Sequence, residues 1–331
     1  MVTKKFVIKR LAVCVSTIFI VIVLNFMLFR VMPANPVDIL LSPDVGQLSA
    51  SIRMEVREEM IKSLGLDKPL WMQFVRYLGD VFKGNFGESF RTHRKVLSMI
   101  SERVANTIVL MLSANILSIL MAIGLGVVAA WKRGTKTDIT SLIFALIFTS
   151  MPMFWVGGII ILVFAVRLDL FPMFGTTTVG LEHSNMFAYL SDYLRHLFLP
   201  MITMTLVSFG GLLLIVRSAL LDVFSEDYIL TARAIGLKDR TIIFKNALNN
   251  AMLPLITIIA INLGFMIGGS LLTETVFSWP GLGLTIYEAV MYRDYPVLQG
   301  TFLIITIIVV IANFLAEIVY GYADPRVRSG A

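Results

Sequence analysis

The chain is 331 residues long, 57% hydrophobic and only 15% charged, with 28 Lys and Arg against 22 Asp and Glu for a formal net charge of +6. A chain with so little charge and a mean hydropathy of +0.83 carries more apolar surface than one soluble core can bury, which excludes a soluble globular enzyme and places it in a bilayer. The basic balance does not mark a nucleic-acid binder, because there is no clustered basic face with groove-reading or stacking elements beside it.

A bilayer-spanning helix needs about 20 mostly apolar residues. Six stretches supply them: Leu11 to Phe29, Ala105 to Ala130, Ile139 to Val166, Leu197 to Val216, Met252 to Thr273, and Thr301 to Ala323. Lys4, Lys5, Lys9 and Arg10 precede the first stretch as in a signal peptide. Its apolar run is long, however, and no small-residue cleavage pattern follows, so a retained anchor over 1–30 is expected. Cys14, the single cysteine, lies inside this run and reads as a small buried residue, which leaves no disulfide or thiolate metal site within the chain. His93, His183 and His196 have no metal-ligand spacing.

Basic residues in short loops set the orientation. Lys132, Arg133 and Lys136 crowd the loop after the second stretch, and Arg217, Arg233, Lys238, Arg240 and Lys245 fill the loop after the fourth. Arg326 and Arg328 lie in the tail, 324–331. The loop after the third stretch offers only Arg167 and Arg195, and that after the fifth only Arg293. Both termini are therefore expected on the cytoplasmic side of the cell membrane.

This topology puts residues 31–103 outside. Ser51 to Ser63 has helical charge spacing, Leu64-Gly-Leu-Asp-Lys-Pro69 breaks that helix, and Trp71 to Phe82 resumes an amphipathic period with Trp71, Phe74, Tyr77, Leu78, Val81 and Phe82 along one side. Two compatible readings are a helix pair lying on the membrane surface and a docking surface for an external partner.

Within the spans, Ala122 with Gly126, Gly264 with Gly268, Gly157-Gly158 and Gly210-Gly211 are expected to let helix backbones approach closely. Pro200 and Pro254 are expected in the first turns of the fourth and fifth spans, where a missing amide hydrogen costs little. Asn115, Asn262 and Asn313 lie at membrane depth and are expected either to bond between helices or to line a polar path. Glu317, near the cytoplasmic end, is expected to reach the interface or pair with a basic residue.

The cytoplasmic loop 217–251 is long enough to fold. Ser225 is placed to cap a helix, Glu226 and Asp227 suit its positive end, and Gly236 suits a left-handed stop. Tyr228, Ile229, Ala232 and Ile235 share one face, and Ala232 and Ala234 are small enough for close approach by a partner. After Lys238-Asp239-Arg240 a helix resumes from Thr241 to Ala251. Further on, Ser278-Trp-Pro-Gly-Leu-Gly283 combines a fixed proline with two glycines and predicts a tight external return. It reads either as a structural turn anchored by Trp279 or as a rim or gate made by Trp279, Pro280, Gly281 and Gly283.

Glu226-Asp-Tyr-Ile-Leu-Thr-Ala-Arg-Ala-Ile-Gly236, followed by Asn246-Ala-Leu-Asn-Asn-Ala-Met-Leu-Pro254, resembles the cytoplasmic loop of ABC importer permeases of the dipeptide, oligopeptide and nickel group. The resemblance covers nearly the whole chain. Leu64-Gly-Leu-Asp-Lys-Pro69 and Gly84-Asn-Phe-Gly-Glu-Ser89 are similar to the external region of that family. Thr273-Glu-Thr-Val-Phe-Ser-Trp-Pro-Gly-Leu-Gly283 is similar to its last external loop, and Arg293-Asp-Tyr-Pro296 and Asp324-Pro-Arg326 to its C-terminal part. The chain has Thr231-Ala232-Arg233 where the general permease pattern has Glu-Ala-Ala, a departure usual in the peptide and nickel branch.

The resemblance implies an all-α polytopic membrane protein with the six transmembrane helices of the type I permease fold, a helical external region, and a permease domain over 104–321. It also implies that Tyr228, Thr231, Ala232, Arg233, Ala234 and Gly236 form a coupling element seated on an ATP-binding subunit. The implied partners are a second homologous permease, two ATP-binding subunits carrying the ATP and Mg, and an external substrate-binding protein. The implied cargo is a di- or oligopeptide, with nickel chelates or glutathione as alternatives. The chain has no Gly-rich loop ending in Gly-Lys-Ser or Gly-Lys-Thr, so the expectation is a permease without catalytic residues or a cofactor of its own. A membrane enzyme would need convergent catalytic groups and a channel a repeated filter; the sequence shows neither.

Overall fold

The computed structural model describes residues 4–31, 58, 67–251 and 270–323, with eleven helices and no strand among them. They are α1 (Lys4–Val31), α2 (Leu70–Phe82), α3 (Val96–Trp131) and α4 (Lys136–Ser150), then α5 (Met153–Arg167) and α6 (Met186–Phe224). The short α7 (Asp227–Ala234) is followed by α8 (239–251), α9 (270–276), α10 (Leu282–Met291) and α11 (Tyr295–Ala323).

Four helices, α1, α3, α6 and α11, are long and apolar enough to cross a membrane, and α4 with α5 makes a fifth if counted as one bent span. The fifth predicted stretch, Met252 to Thr273, lies almost wholly outside the described residues, as do Gly264, Gly268, Asn262, Pro254, Arg326 and Arg328, the segment Ser51 to Ser63 except for residue 58, and residues 64–66.

The third predicted stretch is not a straight rod. It bends by 105° between α4 and α5, because Pro152 has no amide hydrogen to donate and forces Met151 out of the helical region, to φ −87° and ψ 139°. The fourth stretch is longer than its apolar run, starting at Met186, where the Asn185 side chain accepts from the Ala188 N–H at 2.8 Å. Pro200 consequently sits in the helix interior and not in its first turn. The apolar pattern recorded only the membrane-depth part of a helix that continues into polar surroundings at both ends.

The bundle is organised around α6. It packs along α3 and against α4 and α5, while α1 packs along α11, and α10 and α11 lie against α3. A Cβ on Gly126 would stand 2.7 Å from Val216 Cγ1, so α3 and α6 touch backbone to side chain there. Gly210 is closer still to Ala145 and Thr149 of α4, and a Cβ on Gly157 would stand 3.2 Å from the Phe277 ring, whereas Gly211 and Gly158 face open space.

Arg10 of α1 pairs with Glu317 of α11 at 3.0 Å, the basic partner expected for that carboxylate. Asn115 is buried, and its Nδ2 has no hydrogen-bond partner among the described residues. Thr205 and Ser118 supply cross-helix bonds between α6 and α3 instead, to the carbonyls of Ala114 at 3.3 Å and of Thr205 at 3.4 Å.

The described part of the polar region after α1, from residue 67, folds against the far end of the bundle from α7. The rings of Phe74 and Tyr77 of α2 meet Phe26 of α1 at 5.3 and 5.5 Å. The Tyr77 hydroxyl donates to Asn25 Oδ1 at 3.0 Å, and Asn25 Nδ2 donates to the Gln299 carbonyl of α11 at 3.3 Å. Trp71 and Phe82, predicted for the same face, are 63% and 80% exposed. The apolar surface of α2 is thus wider than the contact it makes. Residues 84–95 form a small loop with one bridge, Glu88 to Lys95, pinned to the start of α11 by Asp294, which accepts from the Ser89 hydroxyl and the Phe90 N–H.

Candidate functional site

At the α7 end, the chain leaves α6 through Ser225. Its N–H and hydroxyl both donate back to the Asp222 carbonyl, at 3.1 and 2.6 Å. Ser225 therefore closes α6, and the expected role of capping α7 passes to Glu226, whose backbone is extended and whose side chain makes no capping bond.

The far end of α7 is as predicted. Gly236 has φ +78°, the Leu237 N–H bonds the Ala232 carbonyl at 3.1 Å and the Gly236 N–H bonds the Arg233 carbonyl at 3.0 Å. This 6→1 and 5→2 pair satisfies the last carbonyls and fixes the exit of the chain. A Cβ at Gly236 would meet nothing within 4 Å, so the left-handed backbone alone requires glycine there.

Helix α7 has two unlike sides. Ile229 and Ala232 are buried in one apolar core with Val216 and Leu220 of α6 and Ile242, Ile243 and Ala247 of α8. Leu230 and Ile235 are 54% and 70% exposed, and Tyr228 is partly exposed. The predicted common face is therefore split: Ile229 and Ala232 turn inward, while Tyr228 and Ile235 do not. Tyr228 accepts from Asn250 Nδ2 at 2.7 Å and reaches the Asn246 carbonyl at 3.4 Å, which ties α7 to α8. Thr231 donates to Asp227 within the helix, and the Arg233 guanidinium lies 5.2 Å from the ring centre of Trp131. Ala234 and Gly236 are exposed.

Beneath α7 lies a pair that the sequence did not reveal. Arg217 of α6 donates through Nε to Asp138 Oδ1 at 2.7 Å and through Nη2 to Oδ2 at 2.9 Å, and the Gly134 N–H donates to the same carboxylate at 2.9 Å. Asp138 is buried, and the fork geometry welds the short 132–135 loop to the stem of α6. An acidic residue at the mouth of an apolar stretch was the available signal, but its partner is 79 residues away.

The predicted return at 278–283 lies at the other end of α6 and is buried in its most constrained parts. Trp279 is fully buried. Its Nε1 donates to the Asn106 carbonyl at 3.1 Å, while Asn106 Nδ2 donates to the Pro280 carbonyl at 2.9 Å. Ser278 has φ +45°, an uncommon state for a residue with a Cβ.

Glu274 of α9 is fully buried behind the turn. It accepts from the Thr107 hydroxyl at 2.8 Å and the Leu284 N–H at 3.1 Å, and Thr107 in turn accepts from the Leu282 N–H at 2.7 Å. A Cβ on Gly281 would collide with Glu274 Oε2 and stand 2.5 Å from Thr107 Oγ1, and one on Gly283 would stand 2.5 Å from the Leu271 Cα. The glycines are needed for close approach, since Gly281 itself is extended at φ −114°. The geometry supports an anchored turn that fastens α9, α10 and α3 together, while Asn106, Thr107 and Glu274 were not singled out from the sequence.

The binding-protein-dependent transport system inner membrane component model matches residues 122–329, and its N-terminal companion matches residues 3–111. The chain is 35% identical to the di/tripeptide transport system permease protein DppB of Pseudomonas aeruginosa (strain UCBPP-PA14), covering 98% of each chain. It is 35% identical to the oligopeptide transport system permease protein AppB of Bacillus subtilis (strain 168), covering 98% of this chain and 99% of that one. Against the dipeptide transport system permease protein DppB of Escherichia coli (strain K12) it is 34% identical, again over 98% of each.

Among solved structures, an inward-facing MetNI methionine ABC transporter chain superposes with a TM-score of 0.55 at 18% identity, covering 68% of this chain and 96% of that one. The fold is therefore shared with that permease. The chain belongs to the family of binding-protein-dependent transport system inner-membrane components, in the group that holds the dipeptide and oligopeptide permease subunits of ABC importers.

Proposed function

We propose that this chain is the transmembrane permease subunit of an ATP-driven importer of di- or oligopeptides, and that α7 is the element through which an ATP-binding partner moves the bundle. The observation that carries this reading is the two-sidedness of α7. Ile229 and Ala232 are locked into the core of α6 and α8, while Leu230 and Ile235 are left exposed beside a fixed Gly236 exit. A force applied to the exposed side is passed to α6 without a flexible joint, and alternating access then follows as rocking of packed helices about a pathway near the midplane.

In this reading both termini and α7 are cytoplasmic, Trp279, Pro280, Gly281 and Gly283 form a rigid anchored turn on the opposite side, and 31–103 faces the substrate-binding protein. A second homologous permease completes the pathway and two ATP-binding subunits carry ATP and Mg. Peptide cargo is favoured by relatives named as dipeptide and oligopeptide permeases that match this chain from end to end.

The test is affinity purification of the chain in mild detergent, identification of the subunits that accompany it, and ATPase assays after reconstitution with the binding protein. A second permease and ATP-binding subunits, with hydrolysis raised by a peptide-loaded binding protein, support the reading. Stimulation by a nickel chelate or glutathione and not by peptides would reassign the cargo. A lone, ATP-indifferent chain from a competent preparation would overturn the coupling role.

A further inference from the structure

Between the end of α1 and the flank of α2 runs a cleft whose charged groups are confined to one half and to the junction. One half is an apolar notch of about 380 Å³ between Val23 and Met27 of α1 and Trp71 and Phe74 of α2. The other, of about 420 Å³, is mixed, with Lys68, Arg76, Asp80 and Glu88 lining it beside Phe29 and Phe86. Phe26 and Arg30 line both halves and so stand at their junction. Volumes of this size are those of small-molecule sites.

The groups at the junction define what fits. Arg30 is only partly exposed; among the described residues it stacks at 5.9 Å on the Phe26 ring and makes no ion pair. A guanidinium fork without a carboxylate is a ready partner for a phosphodiester. Its apolar neighbours remain open, with Leu70 64%, Trp71 63% and Met27 57% exposed, and tryptophan is a residue of the bilayer boundary. A soluble anion would leave the notch empty, and a hydrocarbon would leave the Arg30 guanidinium, which makes no ion pair among the described residues, without a partner. An amphiphile whose phosphate lies between tail and headgroup satisfies both halves.

We propose that this cleft binds one membrane glycerophospholipid, with an acyl chain in the notch between α1 and α2 and its phosphodiester against Arg30 and Lys68. The Asn25, Tyr77 and Gln299 hydrogen bonds that hold α2 to α1 and α11 form the floor on which it rests. The lipid fastens α2 where protein contact covers only one side of it, and the assignment does not depend on the cargo or on ATP coupling.

The test uses the full chain, with whatever subunits accompany it, in nanodiscs doped with phosphatidylglycerol that carries a diazirine on its acyl chain, followed by mapping of the cross-linked peptides. Labelling concentrated in 23–30 and 70–75 is expected. Arg30→Gln should lower it about fivefold, the effect of one basic residue near an anionic surface, with Arg30→Lys retaining most of it. Should Arg30→Gln fail to accumulate, Met27→Trp fills the notch without touching the charge and should lower labelling as well. Three results would each overturn the proposal: equal labelling in the variants, labelling spread evenly over exposed residues of α4 and α5, or labelling as strong by a diacylglycerol that lacks the phosphate.

Discussion

Gly281→Ala is the most direct probe of the buried turn. The new methyl would overlap Glu274 Oε2 and approach Thr107 Oγ1 to 2.5 Å. Glu274 is fully buried and held by its bonds from Thr107 and Leu284, so a displaced carboxylate would lose partners without reaching solvent. Overpacking of this kind costs about 1–3 kcal/mol. Displacing Thr107 also breaks its bonds to Glu274 and Leu282, which adds about 1–3 kcal/mol for a buried polar group left without a partner.

A total of about 3 kcal/mol should lower the midpoint of thermal aggregation by roughly 6 °C in a chain of this size. The companion change Gly79→Ala lies inside α2 with nothing within 4 Å and should be neutral or stabilising by up to about 1 kcal/mol, since alanine is the better helix former. Midpoints are measured by size-exclusion fluorescence after fixed incubations in mild detergent; Gly281→Ala should fall or fail to accumulate, while Gly79→Ala should hold or rise. Equal midpoints for Gly281→Ala and the unaltered chain, with transport intact, would refute the close-approach reasoning.

Asp138→Asn keeps the shape of the site but leaves Arg217 without its counter-charge. Removing one partner of a buried pair costs about 3–5 kcal/mol, so thermal stability should fall markedly and peptide-stimulated ATPase should fall relative to basal ATPase; an unchanged midpoint would show the pair to be dispensable. Gly236→Val should cost about 1–2 kcal/mol for the left-handed backbone and, with open space around it, should leave the chain inserted while weakening recovery of the ATP-binding partner. Gly236→Asn should retain more of that recovery, and equal recovery for both variants would remove the geometric requirement.

Burial pushes the Tyr77 hydroxyl up to about 12, against a smaller opposing effect of its bond to Gln299. Because the folded value is raised, the stability this proton supplies is whole below about pH 10, the value for an exposed tyrosine, and is lost as pH rises towards 12. Thermal midpoints should therefore show no Tyr77 effect between pH 6 and pH 9, and a Tyr77→Phe variant should lose less than the unaltered chain on going from pH 9 to pH 11. Arg10→Gln, which cuts a pair whose side chains are 35% and 42% exposed, should change the midpoint by less than about 1 kcal/mol can produce; a fall as large as that of Asp138→Asn would contradict the screening argument.

Local properties of the sequence determined what depends on local physics. Apolar runs marked α1, α3 and α11 because backbone groups in hydrocarbon must bond within their own helix, and the Gly236 stop of α7 was legible because a left-handed exit selects glycine. The amphipathic period found α2. Contacts between distant segments were decided by the tertiary structure. The face of α7 divided between Ile229 and Tyr228 because α6 and α8 occupy only one side of it. Pro200 proved to be interior because α6 extends beyond its apolar window. Asp138 met Arg217 and Glu274 met Thr107 across 79 and 167 residues, where the charge of a side chain is visible in the sequence but the packing that selects its partner is not.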